Sequence, residues 1–114
     1  MFHASNFTDD LRALAPVDVV ITLTARYKRI PVRMFTHPSR GRANAALARQ
    51  LAMYLVHVTL GETLSRVGEA FGRDRTTVSH ACGLIEDMRD DPAFDAELTE
   101  LERNIEALCG ARHG

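Results

Sequence analysis

The residues best suited to chemistry in this chain stand in one run, Asp74-Arg75-Thr76-Thr77-Val78-Ser79-His80. If the run opens a helix that buries Val78, Ala81, Cys82, Ile85 and Met88, then Thr76, Ser79, His80 and Gly83 share the opposite face at i, i+3, i+4 and i+7. Short hydroxyls, one imidazole and a glycine are poor material for a core. They suit close approach to the base edges of a DNA groove, where small donors and acceptors discriminate one base pair from another. The N-terminus of such a helix, with free N–H groups and the positive end of its dipole, also favours a phosphate, and Thr77 is placed there. Other chemistries find little support. Glu69 and Asp74 face a turn and do not form a positioned acid/base pair, so no enzymatic activity is expected. His3, His37, His57, His80 and His113 have no spacing that suits a metal site with cysteine or carboxylate, and no cofactor is implied. Plainer alternatives stand beside each candidate: His80 as a surface histidine without a partner, Arg75 as the partner of a carboxylate such as Asp74, and Arg40 and Arg42 as solvated loop charges.

A base-reading helix needs a shorter helix before it, laid across the DNA backbone, and a tight turn that aims its N-terminus. Leu64 to Phe71 supplies the first, with Thr63 as cap and Leu64, Val67 and Phe71 buried; Gly72 closes it and permits the change of direction. Asp74 or Thr76 then caps a helix reaching about Arg89. Upstream, a helix capped by Asn44 and running to about Leu60 is expected to bury Leu47, Leu51, Tyr54, Leu55 and Val58, and Gly61 ends it. Residues 9–15 suit a short helical turn ended by Pro16. Val17 to Tyr27 reads as a helix in the absence of a second strand to pair with, and Pro31 starts a turn carrying Val32, Met34 and Phe35 inward. His37-Pro38-Ser39-Arg40-Gly41-Arg42 is a basic loop with two breakers. Asp91-Pro92 starts a last helix whose residues Phe94, Leu98, Leu101, Ile105 and Leu108 pack on their own domain in preference to a dimer seam. The fold class is all-α, a helical bundle with a helix-turn-helix, divided into an N-terminal segment 1–16, a domain 17–109 and a tail 110–114.

Charge supports this division. The formal net charge of −1 conceals +7 over residues 20–80 and −7 over residues 81–109. A basic middle beside an acidic end is the distribution of a phosphate-binding face with a solvated far side. With 114 residues, 46% apolar and 25% charged, the chain is long enough for one ordinary hydrophobic core. Trp is absent, so an aromatic platform for single-stranded nucleic acid is poorly supplied. No apolar run reaches the roughly 18–20 residues needed to span a bilayer, and Met1 to Asn6 lacks the pattern of a secretory signal. Cys82 and Cys109 read as two reduced, buried cysteines, and the expected location is the cytoplasm, in association with the nucleoid.

Two blocks are more specific than a generic helix-turn-helix: Ala48-Arg49-Gln50-Leu51-Ala52-Met53-Tyr54-Leu55, and Val67-Gly68-Glu69-Ala70-Phe71-Gly72-Arg73-Asp74-Arg75-Thr76-Thr77-Val78-Ser79-His80-Ala81-Cys82. From about Val19 to Leu108 the chain resembles the C-terminal DNA-binding domain of the bacterial replication initiator DnaA. The resemblance implies a fold similar to the Trp-repressor class. It implies major-groove base reading by Asp74, Arg75, Thr76 and His80, and phosphate binding by Arg49, Gln50, Thr77, Arg73 and His57. It also implies insertion of Arg40 or Arg42 into the minor groove. The chain departs from the family at Arg75, where histidine is usual, at His57, which replaces a lysine, and at Gly83 and Leu84, which replace basic residues in many members. One glycine, Gly72, stands where two are usual. No Gly-x-x-x-x-Gly-Lys-Ser/Thr loop is present, so no nucleotide is expected. The expected partner is double-stranded DNA, in regulation of replication initiation or transcription at initiator-box-like sites. The rival reading is an interaction module for a replication or transcription protein.

Overall fold

Ala15 is extended (φ −60°, ψ 149°), the conformation that a following proline imposes, and Pro16 begins a helix with its ring where no N–H is needed. The computed structural model describes residues 4–35 and 43–110. Among these, all regular elements are helical: α1 (Ala4–Arg12), α2 (Pro16–Lys28), a 3₁₀ turn (Val32–Met34), α3 (Ala43–Leu60), α4 (Leu64–Phe71), α5 (Arg75–Met88) and α6 (Pro92–Cys109). None is long and apolar enough to cross a membrane.

The centre of the bundle is α3. From Leu51 to Val56 every residue is buried, because α2, α4, α5 and α6 all pack around this helix. The expected single stripe is therefore wrong in detail: Ala48, Ala52, Met53 and Val56 are buried as well, while Val58 is 43% exposed. Asn44 lies inside the first turn of α3 and does not precede it. Phe35 is fully buried as expected, but Val32 is 50% exposed, since a single 3₁₀ turn aims only part of its side chains inward. The N-terminal helix is also earlier and longer than the turn expected at 9–15. It packs against α6, buries Leu11, and sets Phe7 beneath the guanidinium of Arg26 at 4.4 Å.

The two helices of the helix-turn-helix are tied to this centre by Val67, Phe71, Val78 and Ile85, each with no exposed surface. Full burial of such side chains is worth about 1.5–3 kcal/mol apiece, which outweighs any single polar contact of the turn. The polar contacts instead set direction. Thr63 Oγ1 accepts from the Arg66 N–H at 3.1 Å and starts α4. Gly72, at φ 67°, ends it, and the Arg73 N–H returns to the Gly68 carbonyl at 2.9 Å.

At the opposite end of α5 a long-range clasp forms. Arg89, with a side chain 17% exposed, donates to Asp95 Oδ1 at 2.6 Å, Glu102 Oε2 at 2.8 Å, Thr99 Oγ1 at 3.0 Å and Tyr54 Oη at 3.0 Å. These bonds join α3, α5 and α6, and they hold the Arg89 guanidinium well above its ordinary range, chiefly through Glu102.

Gly68 lies where α4 meets the turn. A Cβ at this position would stand 2.4 Å from the Arg73 carbonyl oxygen, which is backbone and has nowhere to swing. Gly68→Ala is therefore expected to destabilise the fold by about 1–3 kcal/mol, read as a lowered urea midpoint at unchanged slope. An unchanged midpoint would show that the turn has slack the structure denies.

Candidate nucleic-acid interface

Asp74 turns the geometry of the loop into the start of α5. Its backbone is extended (φ −82°, ψ 167°), and Oδ1 accepts from the Thr77 N–H at 2.8 Å. This is an N-cap, and of the two expected candidates Asp74 takes the position while Thr76 lies within the helix. The backbone bond from Thr77, then the Thr77 hydroxyl, hold the Asp74 carboxyl below its ordinary value of 3.8, and the nearby His80 adds to this. The same bond engages one of the amides at the helix N-terminus, so the Thr77 N–H is already committed to Asp74.

With Val78, Ala81 and Ile85 buried, the outward side of α5 carries exposed Arg75, Thr76, Thr77, Ser79, His80 and Gly83. Among the described residues Arg75 has no hydrogen bond or ion pair, so the alternative that it folds onto Asp74 is not what the structure adopts. Its fork of donors stands free at the tip of the helix.

The residues expected at phosphates are arranged differently. Arg49, half-buried on α3, donates through Nη1 to the Met34 carbonyl at 3.1 Å. Burial, with the positive charge of Arg73 adding to it, pushes the Arg49 guanidinium down from its usual range. Arg49 and Arg73 are thus brought close enough to repel, on the side of the helix-turn-helix where α5 begins. Arg73 itself bends back to the Phe71 and Gly72 carbonyls, each at 3.2 Å. Gln50 is half-exposed beside Arg49 on α3. His57 is tied locally: its Nδ1 lies 2.7 Å from the Glu62 carbonyl, which leaves Nε2 as the ring atom able to meet anything outside. Arg40 and Arg42 lie outside the described residues. Cys82 and Cys109 are both half-buried and not joined to each other, and burial pushes the Cys82 thiol up from its ordinary range. No group of His, Cys, Asp and Glu among the described residues is arranged to hold a metal.

Two contributors escaped the sequence. Gly68 permits the turn that aims α5, and its signal was a glycine within an eight-residue helix, where helix propensity alone disfavours it. The Met34 carbonyl orients Arg49 across fifteen residues of chain, and nothing in the local sequence announces that.

A family model described as the bacterial DnaA protein helix-turn-helix matches residues 17–85. The chain is 37% identical over 93 residues to the chromosomal replication initiator protein DnaA of Acinetobacter baumannii (strain AYE), covering 80% of this chain and 20% of that protein. It is 37% identical over 105 residues to the protein of the same name from Symbiobacterium thermophilum, covering 87% of this chain and 23% of the other. The chain thus spans about a fifth of the length of these relatives.

The Asp74 cap has a pH signature of known sign. A carboxyl whose folded-state pKa is depressed stabilises the fold above its unfolded value, and the contribution disappears as pH falls through the lowered value. Asp74→Ala should lower the melting temperature near neutral pH and should flatten the fall of melting temperature below about pH 3.8. Asp74→Asn, which can still accept the Thr77 N–H, should lose less near neutrality but flatten the acid limb equally. An acid limb unaltered in both variants would show that Asp74 does not carry the cap.

Proposed function

The chain belongs to the bacterial DnaA helix-turn-helix family, and from that premise we propose that it binds double-stranded DNA sequence-specifically, with α5 in the major groove. The observation that carries this reading is the outward side of α5. Arg75, Thr76, Ser79 and His80 are exposed within its first two turns, while the opposite side is locked into the core. A helix presented by its N-terminal residues in this manner matches the geometry that helix-turn-helix proteins use to reach base edges. In this reading Asp74, Arg75, Thr76 and His80 read bases. Arg49, Gln50, Arg73, Thr77 and His57 meet phosphates, and Arg40 or Arg42 enters the minor groove.

The protein acts by occupancy, without catalysis and without a nucleotide. Bound to initiator-box-like sites on the nucleoid, a domain of this size competes with an initiator, or regulates transcription, without melting the duplex. The family relationship supports the DNA partner.

A second reading, an interaction module for a replication or transcription protein, draws support from the same side chains. Arg49 and Arg73 give donors to backbone carbonyls, and His57 is tied to Glu62, so fewer of their donors are left for phosphates in this reading. Salt dependence separates the two, because phosphate neutralisation makes log K fall linearly with log salt. Specific duplex binding with a slope equivalent to about 3–5 phosphates is expected. A protein with no salt-dependent duplex binding belongs to the second reading.

Within the first reading, substitutions sort the roles. Arg49→Ala should weaken binding to all duplexes alike, and a change in which sequences bind would remove it from the backbone class. His80→Ala should lose about 1–3 kcal/mol on the preferred site and much less on random DNA, with folding nearly intact. Arg75 should set a preference for G·C at one base pair, through guanine O6 and N7. Comparing sites selected from a random pool by the natural chain and by Arg75→His checks this, and identical profiles would assign Arg75 to the backbone.

A further inference from the structure

Beyond the residues already assigned, α5 continues outward with Gly83 and then Leu84. Gly83 sits in the interior of a 14-residue helix, where glycine is disfavoured relative to alanine by roughly 1 kcal/mol of helix propensity. Nothing inside the molecule requires it. Its φ is not in the left-handed region, and a Cβ built there would meet no atom within 4 Å. The fold alone would gain from alanine at this position. Leu84 beside it is 42% exposed, one of four large hydrophobic residues exposed to this degree among those described. On the helical wheel Gly83 falls in the outer row with Thr76 and His80, and Leu84 flanks that row on the His80 side. The row continues to Asp87, and with Asp90 and Asp91 beyond it the surface turns acidic, so phosphates are repelled from there onward.

We infer that Gly83 and Leu84 form an apolar extension of the base-reading surface. The bare backbone at Gly83 lets α5 lie close to the groove, and the Leu84 methyls rest against the C5-methyl of a thymine. The inference rests on the proposed duplex binding and names a further specificity determinant for it. Gly83 lies about 10 Å along the helix axis from Thr76, at seven residues of roughly 1.5 Å each, so it follows the first two reading turns directly. Thymine is the base whose major-groove edge offers an apolar group, and an aliphatic side chain is its natural partner. A lysine or arginine at these positions would seek phosphate; a glycine and a leucine cannot.

The test uses the full chain and the tightest duplex selected from a random pool, with each thymine replaced singly by deoxyuridine, which removes only the methyl. One replacement should weaken binding about fourfold, the factor expected for one methyl returned to water. Leu84→Ala should lose at least as much on the all-thymine duplex and become indifferent to that same replacement. Gly83→Ala should raise the melting temperature of the free protein by a few degrees, yet weaken duplex binding by about tenfold through overpacking. Such opposite signs cannot come from misfolding. The inference is overturned if Leu84→Ala keeps the natural chain's response to every deoxyuridine, or if Gly83→Ala binds as tightly as the natural chain. His80→Ala distinguishes the two levels: if it loses specificity while Gly83 and Leu84 variants do not, base reading by α5 stands and this extension falls. Absence of any duplex binding would remove both.

Discussion

The bare Cα of Gly68 faces the carbonyl of Arg73 at a separation no side chain would tolerate, and the Arg73 N–H bonds back to the Gly68 carbonyl at 2.9 Å. This pair of backbone contacts folds the end of α4 against the start of α5 and sets the angle between them. Gly72 provides the left-handed step that such closeness needs, and Asp74 then closes the first turn of α5 from outside. Each device contributes little beside the apolar burial of Val67, Phe71, Val78 and Ile85. Burial therefore makes the bundle stable, and the turn decides where α5 points. A base-reading helix depends on the second more than the first, because a small tilt at its N-terminus moves every side chain on its outer row.

Arg89 constrains the other end. A guanidinium held by two carboxylates, a hydroxyl and a phenol has its desolvation offset by hydrogen bonds in fixed directions. Half-buried ion pairs add little net stability over apolar packing, yet removing one partner is strongly destabilising. Their effect here is register: Arg89 ties the C-terminus of α5 to Tyr54 at the centre of the bundle and to α6. With α5 fixed at both ends, its inner side buried and its outer side bare, the side chains between Arg75 and Leu84 approach a partner with little freedom of the backbone left to lose.

The parts of this arrangement visible in the sequence were those governed by neighbours in the chain. Thr63, Gly72, Asp74 and Asp91-Pro92 mark helix ends because capping depends on residues two or three apart, and those boundaries agree with the structure. The outer row of α5 followed from the period of its buried residues. What failed to show depended on distant packing. Leu51 to Val56 is buried on all sides because four helices surround it, a fact no stripe of α3 can express. Asn44 has the residue type of a cap, but α3 begins at Ala43. Gly68 reads locally as a weak helix residue, and only the folded turn reveals what its missing side chain allows. The partners of Arg49 and Arg89 lie ten or more residues away for most of their bonds, beyond any local pattern.

The same structure alters the meaning of the charge pattern. A segment carrying +7 suggests strong, indiscriminate attraction for a polyanion, but several of those charges are already engaged. Arg49 and Arg73 donate to carbonyls, and Arg26 lies over Phe7. A donor committed to a carbonyl keeps its charge but loses freedom to follow a phosphate, so it favours one position of the backbone over others. Beyond α5 the segment carrying −7 raises the energy of any pose that brings α6 toward the duplex. Attraction is thereby weakened in total and sharpened in orientation. In the proposed duplex binding, discrimination between sequences rests on short-range contacts along α5, whose placement returns to the turn built around Gly68.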